Sequence, residues 1–66
     1  MNDQEQQTNI ETMLTVRQTA ALLQLTPLTI YEYIRLGKLK AVKFGRYYRI
    51  RKEDLNDFIN SHKFTI

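Results

Sequence analysis

Two residues, Gln24 and Leu25, separate what reads as the end of one helix from the start of the next, and that spacing restricts the chain more than any other feature. "TVRQTAALLQ" opens with a capping box: Thr15 at the N-cap can accept from the Gln18 amide while the Gln18 side chain reaches back. Val16, Ala20 and Leu23 then recur at helical spacing, flanked by Thr19 and Leu22, so one stripe faces inward until the helix ends near Gln24. In "LTPLTIYEYIRLGK" Thr26 is an N-cap and Pro27 stands at the first helical position, where its missing N–H costs nothing. Leu25 and Ile30 match a hydrophobic staple, and Gly37 stands where a left-handed residue ends the helix. The reading is helix, tight turn, helix.

The second helix has a divided surface. At 100° per residue, Pro27, Ile30, Tyr33 and Ile34 group on one side. Leu28, Tyr31, Glu32 and Arg35 group on the other, with Thr29 and Leu36 at the border. After it, "LKAVKFGRYYRI" reads as a β-hairpin. A two-residue turn of Gly45-Arg46 would pair Val42 with Arg49 and mix a charge with an aliphatic side chain on one face. An odd loop of Gly45, Arg46 and Tyr47 pairs Phe44 with Tyr48, Lys43 with Arg49 and Val42 with Ile50. An odd-length loop of three or five residues is therefore expected, with Phe44, Tyr48 and Ile50 turned inward, Lys43 and Arg49 outward, and Arg51 and Lys52 past the paired strand. "KEDLNDFINSHK" closes the unit as a helix with Leu55, Phe58 and Ile59 inward, Glu53 and Asp54 at its N-terminal dipole, and His62 and Lys63 at its C-terminal end.

The expected fold is therefore a small α+β winged helix-turn-helix: two helices, a two-stranded hairpin wing and a C-terminal helix. Residues 13–62 make this domain, 1–12 a flexible acidic and polar tail, and 63–66 a fraying end.

Charge explains what such a frame is for. The net charge is +3, yet residues 1–12 carry Asp3, Glu5 and Glu11 with no cation, leaving +6 on the rest. Eight of the ten Lys and Arg fall between residues 35 and 52, where no acid appears. A one-signed block of this kind points to an anionic partner. Lys43 opposite Arg49 would destabilise an isolated hairpin by up to about 1 kcal/mol, a cost that a polyanion relieves. An RNA-binding sheet exposes aromatic side chains, and in the expected register they point inward, which argues against RNA.

Catalysis fails on inventory. The chain has no cysteine, one serine (Ser61), one histidine (His62) and no glycine-rich phosphate loop. No catalytic residue, metal or cofactor is expected, nor a small-molecule substrate, and Glu53, Asp54 and Asp57 read as helix solvation. No apolar run approaches the roughly 18 residues of a membrane span, and no signal sequence is visible, so a soluble, cytoplasmic protein without membrane contact is expected.

The stretch "LTVRQTAALLQLTPLTIYEYIRLGKLKAVKFGRYYRIRKEDLNDFI", residues 14–59, resembles the DNA-binding domain of the excisionase family, a MerR-like winged helix-turn-helix. "LLQLT" across the turn, "TIYEYIRLGKL", "VKFGRYYRI" and "EDLNDFI" carry the likeness. The resemblance implies a major-groove surface of Leu28, Thr29, Tyr31, Glu32 and Arg35, and wing contacts from Lys43, Arg46, Tyr47 and Arg49. It also implies a bacterial or phage-encoded protein that binds and bends double-stranded DNA, self-associates cooperatively on adjacent sites and assists an integrase in excising a mobile element or prophage. A small transcriptional regulator of the same fold is the alternative, and a protein-interaction module for an acidic partner a second one. Two departures stand out: Gln24 occupies a turn position usually held by glycine, and Glu32 a helix position where a base is commoner.

Overall fold

The computed structural model describes residues 13–62. Its element order is β1 (Met13–Thr15), α1 (Val16–Leu23), α2 (Pro27–Arg35), β2 (Val42–Phe44), β3 (Tyr47–Arg51) and α3 (Lys52–Ser61). The result is a small α+β unit: three helices and one antiparallel sheet ordered β1-β3-β2.

Local chemistry sets the helix boundaries. The Gln18 amide donates to Thr15 Oγ1 at 2.9 Å, and the Thr15 amide donates to Gln18 Oε1 at 2.8 Å, completing the capping box. Thr26 caps α2, with its hydroxyl accepting from the Thr29 amide, and Pro27 opens the helix. Both helices end alike. The Leu25 N–H donates to the Ala20 carbonyl and the Gln24 N–H to that of Ala21; in α2 the Lys38 and Gly37 amides reach Tyr33 and Ile34 in the same way. This is the Schellman arrangement, which needs one residue in the left-handed region. Gly37 supplies it at φ +78°, whereas Gln24 adopts φ 58° with a side chain in place. The turn expected at Gln24 and Leu25 thus keeps the geometry that glycine usually serves.

Ala20, Val16 and Leu14 join Ile30, Leu39, Ile50, Leu55 and Phe58 in a single core. Thr19 is buried with them, its hydroxyl donating to the Thr15 carbonyl at 2.9 Å. Tyr33 and Ile34 pack against the core as the divided surface of α2 predicts, but Pro27 is exposed. The Tyr33 and Phe58 rings, 5.3 Å apart, join α2 to α3. Leu22 and Ile59 are exposed, so the inner stripe of α3 narrows to Leu55 and Phe58.

The sheet corrects the sequence reading in three ways. It has a third strand: β1 pairs with β3, setting Met13 opposite Arg51, Leu14 opposite Ile50 and Thr15 opposite Arg49. Arg51 therefore lies inside the paired region, not past it. Second, the hairpin takes the two-residue turn: Val42 pairs with Arg49, Lys43 with Tyr48 and Phe44 with Tyr47. Gly45 has φ +65° and no other hairpin residue has positive φ, which fits a type II′ turn with glycine first. Third, the faces differ from expectation. Tyr48 and Ile50 point to the core, but Phe44 shares the opposite face with Tyr47 and Arg49 and is 51% exposed. Lys43 and Arg49 stand on opposite faces and do not confront one another. The reason is that the core is sealed elsewhere: Leu14 sits across from Ile50, and Leu39 and Ala41 fill the near end. With Phe44 and Tyr47 exposed on the outer face, nothing requires that face to be uniform, and the turn decides the register.

Among the described residues, no helix is long and apolar enough to cross a membrane and no group of three metal-ligating side chains gathers. The acidic segment 1–12 and residues 63–66, including Lys63, lie outside the described residues.

Candidate nucleic-acid interface

The first half of the candidate site is the outward side of α2. Leu28 is 76% exposed, and Tyr31, Glu32 and Arg35 are exposed beside it. Thr29 is partly covered, its hydroxyl 3.0 Å from that of the cap residue Thr26, so it is held in the first turn. Glu32 and Arg35, one turn apart, form an ion pair. The hydrogen bond that Arg35 donates to the Glu32 carboxylate, and the negative charge of that carboxylate, both raise the Arg35 pKa above its ordinary value. The consequence is a face whose one acid and one cation offset each other while apolar and aromatic groups stand beside them.

The second half is the hairpin. Arg46 is exposed in the turn, and Tyr47 is 61% exposed at the start of β3. The Arg49 guanidinium donates through Nη1 to the Tyr48 carbonyl at 2.9 Å, which steadies it across the outer face and leaves its other donors open. Lys43 lies on the core-side face of the sheet, beyond the core's edge, with Nζ 5.8 Å from the centre of the Tyr48 ring. The hairpin residues singled out in the sequence are thus split. Arg49 and Tyr47 share one face, Lys43 takes the other, and Arg46 stands at the tip.

The two halves meet through tyrosines. Tyr31 of α2 and Tyr48 of β3 sit edge to face, with centroids 6.1 Å apart. Around this contact runs a groove of about 330 Å³, walled by Arg17, Pro27 and Tyr31 from the helices and by Tyr47, Tyr48 and Arg49 from the sheet. Arg17 is an addition that the sequence reading did not make. It is a lone cation 18 residues before the basic block begins, and only its place two residues after the Thr15 cap hints that it projects at the start of α1. Arg17 and Arg49 line the same groove as Tyr31, Tyr47 and Tyr48.

The sequence pattern of the family described as "Helix-turn-helix domain" matches residues 13–63. Two Mycobacterium tuberculosis proteins, from strains CDC 1551 / Oshkosh and ATCC 25618 / H37Rv and both named "Putative DNA-binding protein", are each 33% identical over 52 residues. Those residues cover 79% of this chain and 67% of theirs. A Bacillus subtilis (strain 168) protein named "Uncharacterized protein YvgK" is 39% identical over 44 residues, 67% of this chain but only 14% of its own length. No solved structure matches the chain significantly. With two capped helices across a left-handed turn, a hairpin beside the second helix, and a family match spanning all the described residues, the chain belongs to the helix-turn-helix domain family of DNA-binding proteins.

Proposed function

We propose that this protein binds double-stranded DNA sequence-specifically, with α2 in a major groove and the β2–β3 hairpin as a wing on the adjacent backbone. The observation that carries the reading is the adjacency of two unlike surfaces. The face of Leu28, Tyr31, Glu32 and Arg35 is chemically mixed, as base reading needs, whereas the hairpin beside it is cationic without an acid, as phosphate binding needs. Leu28 and Thr29, near the N-terminus of α2, are placed to meet base edges, Leu28 through apolar contact with a thymine methyl. Tyr31 and Glu32 follow, and Glu32 can accept from cytosine N4. Lys43, Arg46, Tyr47 and Arg49 supply phosphate contacts, Arg35 is free to add one only when its pairing with Glu32 is released, and the Tyr31–Tyr48 contact joins helix to wing.

The biological role we assign is that of an excisionase: a non-catalytic protein that binds repeated sites, bends them, and helps an integrase excise a mobile element or prophage. One small domain makes few phosphate contacts, so cooperative binding of copies on adjacent sites supports useful occupancy. The test has two stages. Selection from a random duplex pool should return one motif, occurring as closely spaced repeats. In a reconstituted reaction with an integrase and its attachment-site DNA, added protein should stimulate excision. A protein that selects a motif at a promoter and leaves excision unchanged is instead a transcriptional regulator of the same fold.

A further inference from the structure

We propose that the outer face of the three-stranded sheet is a second nucleic-acid site, which binds unpaired bases of a single strand by stacking them on Phe44 and Tyr47. The proposal goes beyond duplex binding and does not rest on it. Phe44 and Tyr47 are directly paired across β2 and β3, on the sheet face opposite the buried Leu14 and Ile50. Both rings are more than half exposed, although burying them would be favourable in a domain this small. They border a shallow groove of about 320 Å³ completed by Met13, Thr15 and Arg49. Arg51, opposite Met13, extends the cationic line of that face, and its Nε is buried with no hydrogen-bond partner.

The chemistry of the face selects its ligand. Alternation puts Met13, Thr15, Val42, Phe44, Tyr47, Arg49 and Arg51 together, with no acidic side chain on any of the three strands. An apolar protein partner would be served by rings alone, and a duplex backbone by arginines alone. Two paired rings, Phe44 and Tyr47, with the guanidinium groups of Arg49 and Arg51 following along the same face of β3, match a polymer that carries planar bases on a phosphate backbone. Stacking is indifferent to base identity, because every base has a π-face, so this site would hold a single strand without reading it.

Fluorescence anisotropy with the full-length chain separates the possibilities. A labelled oligothymidine of about 15 nucleotides is compared with a strand of equal length that carries abasic sugars and the same phosphates. If a base stacks on the rings, oligothymidine should bind about five- to a hundredfold more tightly than the abasic strand. Phe44→Leu, which keeps an apolar side chain at an exposed position, should remove that advantage while leaving duplex binding intact. Phe44→Trp should retain it. Because the chain has no tryptophan, the new fluorophore should also be quenched by oligothymidine and not by the abasic strand. Equal binding of the two strands, or an advantage that survives Phe44→Leu, overturns the proposal. So does a dimer detected by sedimentation that Phe44→Leu dissociates, since the face would then be a surface for a second copy. Loss of duplex binding with oligothymidine binding retained would remove the duplex reading alone.

Discussion

Glu32 and Arg35 offer the sharpest test of how this domain holds a duplex. While the two are paired, Arg35 makes little net contribution to phosphate binding, because a carboxylate travels with it. Three candidate phosphate contacts are then uncompensated: Lys43, Arg46 and Arg49. Each neutralised phosphate contributes about −0.9 to the slope of log K against log salt, so the unmodified protein should show a slope of about −2.7. Between 50 and 200 mM salt, that is a loss of about 40-fold in affinity. Glu32→Gln removes the carboxylate and frees Arg35. The slope should steepen to about −3.6 and the loss over the same interval to about 150-fold. Anisotropy titrations of a nonspecific duplex at four or more salt concentrations measure both slopes, and affinity at the lowest salt should rise in the variant. An unchanged or shallower slope would refute the reasoning, because Arg35 would then not reach phosphate even when released. Both side chains of the pair are solvent-exposed, so the variant should fold as the parent does and the comparison stays one of binding.

Gln24→Gly should stabilise the domain by about 0.5–1 kcal/mol, since a side chain at φ 58° is strained and glycine there is not; thermal unfolding followed by circular dichroism should show a rise of several degrees. Ile50→Ala empties the most enclosed position of the central strand and should cost about 2–5 kcal/mol, enough to leave much of so small a domain unfolded at 37 °C. A double-mutant cycle on Tyr31 and Tyr48, each changed to leucine and read by urea unfolding, should give a coupling of about 0.5–1.5 kcal/mol; zero coupling would mean that the edge contact does not tie α2 to the hairpin. Glu32→Ala should change base preference in a selected motif more than it changes affinity for nonspecific duplex, and equal losses on both would count against base reading by Glu32.

What could be read from the residues, and what could not, follows the range of the interactions. Caps and helix ends are local: Thr15 with Gln18, Thr26 with Pro27, and Gly37 each act within one turn, and each stands where the sequence puts it. The strand β1 is different. "MLT" is too short for an alternation to register, and it becomes a strand only because residues 49–51, far along the chain, lie beside it. The hairpin register failed for a related reason. Sorting apolar from charged residues assumes that the apolar face is buried, yet Phe44 and Val42 share the open face with Arg49, while Leu39 and Leu14 close the core. The side of α2 carrying Leu28, Tyr31, Glu32 and Arg35 was legible because a helix sorts its residues by angle without outside help. Arg17 was not, because its place beside the hairpin groove is a tertiary fact.

The junctions of this chain leave no spacer between sheet and helix. Thr15 is at once the last residue of β1 and the N-cap of α1, and Arg51 ends β3 while preceding α3 in the same capacity. One inserted residue at either place would turn a helix by about 100° against the strand that feeds it and move its buried side out of the core. Length variation is therefore tolerable at only two places within the described residues, the stretch 36–41 and the hairpin tip. A graft in the stretch 36–41 must spare the buried Leu39, and one at the tip would leave the fold intact while displacing Arg46 from its proposed backbone contact.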